Sequence, residues 1–179
     1  ISFYLGEQNA EQEKREVDCS APLIQYAWGL DKYLYTAIWE DVREYVFSYK
    51  YLDSSSFDDL KDSSKSGIRC WYSPFERNSI NKSTERSPTL GNWYHLFNNL
   101  NCESDNPVFC TMVEYLKSET YGEELLAVVS ESAGLLLKYR NDICHADPVL
   151  MTIPDYQKLR EKIVSSLTRL FTLIEAKMT

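Results

Sequence analysis

An arginine, an asparagine and a histidine lie close together near residue 140 of this chain, as Arg140, Asn141 and His145. Histidine is well suited to move protons near neutral pH, and the planar arginine cation matches the equatorial oxygens of a phosphate. Asparagine can orient either group. These residue types indicate phosphodiester chemistry on RNA, whose own 2′-hydroxyl serves as the nucleophile, so that neither a metal nor a protein nucleophile is needed.

The three residues end a predicted helix over about residues 123–145, where apolar residues recur at intervals of three and four. At about 100° per residue, one side of this helix faces a core through Leu125, Val129, Ser132, Leu136, Tyr139 and Ile143. The opposite side is a polar stripe that can meet solvent or a partner, formed by Gly134, Lys138, Asn141 and His145. Arg140 lies about 140° from His145, so a regular helix does not bring them together. The break after His145, the flexible Arg side chain or a second subunit must do so.

The same spacing predicts four further helices, over about residues 22–52, 89–100 and 107–117 and from Pro154 to the C-terminus. We therefore expect an all-α protein, built as an antiparallel bundle of four or five helices. Residues 1–20 are expected to form an N-terminal arm, with a strand at residues 1–5, and residues 21–179 a single domain. Within it, residues 53–88 are rich in serine and predict an inserted loop with one short helix, which docks through Trp71, Tyr72 and Phe75.

Composition limits the class of protein. Hydrophobic residues make up 44% of the 179 residues and charged residues 26%, which is typical of a folded globular protein. The net charge of −8 argues against binding nucleic acid through a broad basic surface. The five cysteines are widely spaced, so we expect reduced thiols, a cytoplasmic location and no membrane segment. Because the chain begins with Ile1, we expect a longer precursor or a multidomain protein.

The run from Arg140 to His145 resembles the hallmark of the HEPN family, an Arg followed, after four to six residues, by a His. Asn141 matches the polar residue that often follows the Arg. The motif also ends the penultimate long helix, as in that family. The run Thr89-Leu90-Gly91 is similar to the start of an earlier helix in many HEPN proteins, and the likeness covers about residues 22–177.

The resemblance implies a homodimeric, metal-independent endoribonuclease without a cofactor. Arg140 and His145 of two subunits would meet in a shared cleft and cut RNA, such as tRNA or mRNA. Such proteins commonly serve as toxins paired with an antitoxin or as antiphage effectors. Members paired with nucleotidyltransferase antitoxins often carry a Tyr two residues after the His, but this chain has Asp147 there. The alternative is a non-catalytic interaction or ligand-sensing module of a larger defence or signalling protein.

Three cations are candidate substrate-binding residues: Lys138 on the polar stripe, and Arg69 and Arg77 in the basic stretch. Residues 61–90 hold six basic and three acidic residues, with Trp71 and Tyr72 interleaved, a composition that suits an RNA backbone and its bases. Each site residue also has a structural interpretation. Arg140 and His145 would then stabilise a helix C-terminus, with Arg140 paired to Asp142 or Glu131, and the basic stretch would be a solvated loop. With two histidines and no Cys-x-x-Cys pair, the sequence predicts no metal site.

Overall fold

The computed structural model describes residues 14–63, 66–75, 88–99, 104–118 and 121–178. Within these ranges the chain is mostly helical, in agreement with the predicted all-α class. Two short strands, β1 (Glu16–Asp18) and β2 (Leu150–Thr152), form an antiparallel ribbon. The helices are α1 (Ser20–Leu34), α2 (Glu40–Ser48), α3 (Ser54–Asp58), α4 (Ser66–Arg69), α5 (Tyr72–Phe75), α6 (Leu90–Asn99), α7 (Pro107–Lys117), α8 (Gly122–Cys144) and α9 (Ile153–Met178). The strand predicted at residues 1–5 lies outside the described residues.

The first predicted helix is interrupted, because a π-helical turn at Tyr35–Trp39 joins α1 to α2. The cause lies in the spacing of its buried residues, which recur every four positions: Leu30, Leu34, Ile38, Val42 and Val46. In a regular α-helix each four-residue step turns the stripe by about 40°, so the later residues would leave the core. A π turn is wider and takes up the extra rotation. The helical segment then ends at Ser48, earlier than the predicted residue 52.

Helix α8 is the central element and packs against α1, α6 and α9. The neighbours α6 and α9 both run antiparallel to it. Gly91 and Tyr94 of α6 meet Leu137 and Gly134 of α8, in reverse order along the chain. The predicted polar stripe is therefore partly wrong, because Tyr94 covers Gly134. Farther along α8, Lys138, Asn141 and His145 are exposed as expected.

The described part of the Ser-rich segment contributes to the core and contains three short helices, α3, α4 and α5, where we expected one. Its buried residues are Phe57, Leu60, Ile68, Trp71 and Phe75. The predicted docking is confirmed for Trp71, whose ring centroid lies 5.5 Å from that of Trp93 in α6 and 5.7 Å from that of Trp39. The remainder of the predicted loop, residues 76–87, lies outside the described residues.

Asp41 connects α2 to α7 and to the start of α8. Its Oδ2 accepts hydrogen bonds from the hydroxyls of Tyr115 and Tyr121, each at 2.7 Å. Burial and the Asp41 carboxylate raise the pKa of Tyr115 to about 12 and raise that of Tyr121 further. Both hydroxyls therefore remain protonated and can donate these hydrogen bonds. The bonds fix the N-terminal end of α8, which is the end far from His145.

Replacing Trp71 with Ala tests whether this segment belongs to the core. Because Trp71 is fully buried, we expect Trp71→Ala to lower the free energy of unfolding by about 3–5 kcal/mol. Tyr51→Ala is the control, since Tyr51 is 86% exposed, and we expect a change within about 0.5 kcal/mol. Urea denaturation followed by circular dichroism measures both. Similar midpoints for the two variants would contradict a core role.

Candidate functional site

Helix α8 ends in a hydrogen-bonded turn that fixes the position of His145. Its final carbonyls are capped by two backbone bonds, from the N–H of Asp147 to the O of Asp142 and from the N–H of Ala146 to the O of Ile143, each 3.0 Å long. This is the Schellman pattern, in which the residue after the cap adopts the left-handed conformation. Here that residue is Ala146, with φ of 64°. His145 therefore occupies the C-cap, with its side chain exposed.

The chain after this turn is anchored to α1 and to the ribbon. The N–H of Val149 donates to Ser20 Oγ at 3.0 Å, and the O of Val149 accepts from the N–H of Cys19 at 2.9 Å. Thr152, the last residue of β2, then caps the start of α9, because its Oγ1 accepts a hydrogen bond from the N–H of Asp155. The turn that carries His145 is thus held on both sides, by α8 and by β1–β2.

Ala146→Gly is expected to stabilise the protein. A side chain with Cβ in the left-handed region is strained by about 1–2 kcal/mol, whereas glycine adopts this conformation freely. Glycine also gains more freedom in the unfolded chain, so we expect a net gain in the free energy of unfolding of about 0.5–1 kcal/mol. Thermal denaturation measures it. Gly29→Ala is the reverse control, because Gly29 lies inside a helix, where alanine is favoured. A destabilised Ala146→Gly variant would contradict the strained turn.

Arg140 and Asn141 are brought together by the structure, whereas Arg140 and His145 are not. Arg140 Nη1 donates to Asn141 Oδ1 over a long 3.4 Å. Among the described residues no hydrogen bond joins Arg140 to His145, as the angle between them on α8 predicts. Nor does Arg140 form an ion pair with Asp142 or Glu131, the partners that its structural interpretation required; both are described residues. Arg140 as a whole is half-buried, and no carboxylate of the described chain lies within 4.0 Å of its guanidinium.

Asp31 is an acidic residue that interacts electrostatically with Arg140, and the sequence did not single it out. It lies on α1, half-buried beside the buried stripe, and its Oδ1 is buried without a hydrogen-bond partner. Burial raises the pKa of Asp31 to about 6, although the Arg140 charge and the backbone N–H of Leu90 act in the opposite direction. Asp31 therefore interacts electrostatically with Arg140 and with the first turn of α6. The only sign of this interaction in the sequence is that Asp31 is an isolated carboxylate directly after the core residue Leu30.

Asp31→Asn is expected to stabilise the fold above about pH 6. The folded chain keeps a proton on Asp31 between the ordinary pKa of 3.8 and the folded value of about 6, where the unfolded chain has released it. The free energy of unfolding of the wild type therefore falls as the pH rises through this interval, by on the order of 1–2 kcal/mol. The amide cannot ionise, so the variant lacks this fall.

Thermal denaturation from pH 4 to pH 8 compares the two proteins. Asp142→Asn is the matched control, because it removes a charge two residues from Arg140 and should follow the wild-type curve. Parallel curves for the wild type and Asp31→Asn would contradict the interpretation that ionising Asp31 destabilises the folded chain.

The three cations predicted to bind substrate differ in where the structure places them. Lys138 is exposed, with its Nζ 6.0 Å from the ring centroid of Tyr139. Arg69 is exposed at the end of α4. The next residue, Cys70, accepts a hydrogen bond at its O from Asn92 Nδ2 at 2.8 Å. This bond ties the end of α4, where Arg69 lies, to the first turn of α6. Arg77 lies outside the described residues.

Among the described residues, no three His, Cys, Asp or Glu side chains cluster as metal ligands would. No helix in the same ranges is both long and apolar enough to cross a membrane.

The chain matches no protein-family model, no curated protein and no solved structure in comparisons with each.

Proposed function

We propose that this chain is a metal-independent endoribonuclease of HEPN type. The observation that carries the proposal is the grouping of Arg140, Asn141 and His145 at the exposed end of α8. Arg140 is half-buried, and no carboxylate of the described chain lies within ion-pair distance of it. The guanidinium thus keeps its charge available for a phosphate, whose developing negative charge a positioned cation stabilises. The HEPN-like helical bundle, with the motif at the end of its penultimate helix, belongs to the same proposal.

In the proposed reaction His145 removes the proton from a ribose 2′-hydroxyl, and the 2′-oxygen attacks the adjacent phosphorus. The bond from phosphorus to the 5′-oxygen breaks, and that oxygen takes a proton from the imidazolium. The products are a 2′,3′-cyclic phosphate and a 5′-hydroxyl. Arg140 stabilises the charge that develops on the phosphate oxygens, and Asn141, which already contacts Arg140, positions the guanidinium or the phosphate.

A homodimer is part of the proposal, because Arg140 and His145 diverge within one chain. Two exposed apolar side chains follow the His145 turn: Leu150 is 52% exposed and Ile153 is 41% exposed. Their contact with a second copy would bury apolar surface and bring two Arg140–His145 sets to one cleft. The substrates would be cellular RNAs such as tRNA or mRNA, and the biological role that of a toxin or antiphage effector in the cytoplasm, restrained by an antitoxin or a further domain.

Substitution of either motif residue is expected to abolish RNA cleavage. The assay uses labelled total RNA and purified tRNA with excess EDTA, followed by analysis of the new ends. Loss of the proton-transfer group in His145→Ala should reduce the rate by about 10²–10⁴-fold. Arg140→Ala should reduce it by about 10²–10³-fold, because the charged transition state loses its cation.

His95→Gln is the matched control, since it removes the only other histidine of the chain, and we expect nearly wild-type cleavage. Light scattering confirms that each variant has the mass of the wild type. Full activity of folded Arg140→Ala or His145→Ala protein, or ends other than 2′,3′-cyclic phosphate, would contradict the mechanism.

The alternative, a ligand-sensing module, is favoured by one observation at the other end of α8. A cavity of about 290 Å³ lies there beside the π turn, and its lining includes Thr36, Asp41, Tyr121, Leu125, Ile174 and Lys177. Both π turns and pockets with a few polar groups on an apolar floor are frequent at binding sites. A folded dimer that fails to cut any RNA would favour this function.

A further inference from the structure

The four tryptophans of the chain differ sharply in exposure. Trp39, Trp71 and Trp93 are at most 1% exposed, whereas Trp28 is 63% exposed. Trp28 lies in the middle of α1 and directly follows Ala27, which belongs to the buried side of that helix with Leu23, Leu30 and Leu34. Its indole therefore points outward. The fold does not bury most of its apolar surface, so this side chain contributes little to stability.

Packing also does not explain why glycine stands at position 29, next to Trp28. Gly29 lies inside α1, where glycine costs about 1 kcal/mol relative to alanine. A Cβ built at Gly29 would meet no atom within 4 Å, so no close approach in the fold requires a glycine. The helix therefore leaves open space next to the exposed indole.

The charges on this face favour an anionic ligand. Lys32 lies one turn after Trp28 and is exposed, as is Gln25 one turn before Gly29. Asp31 is the single acidic residue between Ser20 and Trp39, and it is half-buried towards Arg140. In a chain with a net charge of −8, the residues of α1 thus contribute an aromatic ring and a cation to this outer face, and α1 itself adds no exposed carboxylate.

We propose that the outer face of α1, formed by Gln25, Trp28, Gly29 and Lys32, binds a base of single-stranded RNA. The base stacks on Trp28 over the space left by Gly29, and Lys32 contacts a neighbouring phosphate. The proposal rests on the proposed function for its ligand, because Asp31, three residues after Trp28 on the same helix, interacts electrostatically with Arg140. The face would hold a nucleotide that flanks the scissile phosphate.

A second copy of the chain fits this face less well than RNA does. A tryptophan buries about 150–250 Å², whereas a stable dimer needs about 800 Å² on each partner. The other exposed members of the face are small or polar. A single ring next to a cation is instead the pattern of a stacking site on a nucleic-acid strand.

Fluorescence tests the proposal directly, because Trp28 is the one tryptophan that the neutral quencher acrylamide reaches readily. The probe is a 2′-O-methyl RNA oligomer of about ten nucleotides, which cannot be cut because its 2′-oxygens are blocked. We expect saturable quenching by the oligomer and protection of Trp28 from acrylamide. Trp28→Ala should raise Kd by about 5- to 100-fold, within the range of base stacking on aromatic residues. Tyr51→Ala, the exposed aromatic control, should leave Kd unchanged.

Two further variants separate stacking from charge. Lys32→Ala should reduce the dependence of log K on log salt by about 0.7, the value for one phosphate contact to a single strand. Gly29→Leu should weaken binding by filling the space beside the indole, while circular dichroism shows an intact helix. Unchanged oligomer binding by folded Gly29→Leu protein would overturn the stacking geometry.

The outcomes distinguish this proposal from the ribonuclease proposal. If cleavage depends on His145 but acrylamide quenches Trp28 equally with and without saturating oligomer, the α1 face is overturned and the ribonuclease proposal stands. Protection of Trp28 by the oligomer without cleavage supports the face and contradicts the nuclease. Protection without RNA that grows with protein concentration assigns the face to a second copy and overturns the proposal. If free AMP quenches Trp28 as strongly as the oligomer does at the same nucleotide concentration, the ligand is a free nucleotide and not an RNA strand, and the proposal is overturned.

Discussion

The close approach of α6 to α8 determines where the polar residues of this protein meet. A Cβ on Gly134 would lie 3.0 Å from Cδ2 of Tyr94, so a residue larger than glycine would require the Tyr94 ring to shift. The same approach sets Gly91 against Leu137, and it brings the start of α6 to the last two turns of α8. Arg140 lies within these last two turns, and its charge favours the ionised form of Asp31 on α1. The helix–helix contact thus sets where the half-buried Arg140 lies relative to α6.

The two ends of α8 show opposite ways of using a carboxylate. At one end Asp41 accepts two short hydrogen bonds from tyrosines and serves as a fixed joint. At the other end one carboxylate oxygen of Asp31 is buried without a hydrogen-bond partner, and Arg140 forms a single long hydrogen bond. Satisfied groups stabilise a fold, whereas a buried polar atom without a partner is costly, and perturbed ionisable groups are typical of sites that act on a ligand. This asymmetry separates the structural end of the helix from its candidate reactive end.

The long helices were predictable because their signals are local. Pro107 and the Asn106 cap set the start of α7, whose range matches the prediction, and Pro154 marked the first turn of α9. The exposed positions of Asn141 and His145 also followed from helical spacing. Asp31 did not, because its role depends on burial between elements distant in sequence. Nor did α3, α4 and α5, since helices of four or five residues have too few turns to show a period and are held by buried residues such as Trp71.

The π turn at Tyr35–Trp39 makes this stretch of the chain unusually tolerant of a change in length. It accommodates one residue more than a regular helix needs between Leu34 and Val42. Loss of a residue within the turn would convert it to an ordinary α-helix and keep Val42 and Val46 in phase with Leu34, at about 100° per residue. The same loss within α1 or α2 would rotate half of the segment out of the core. Homologues of this chain that differ by one residue in the first long helix are therefore expected to differ here.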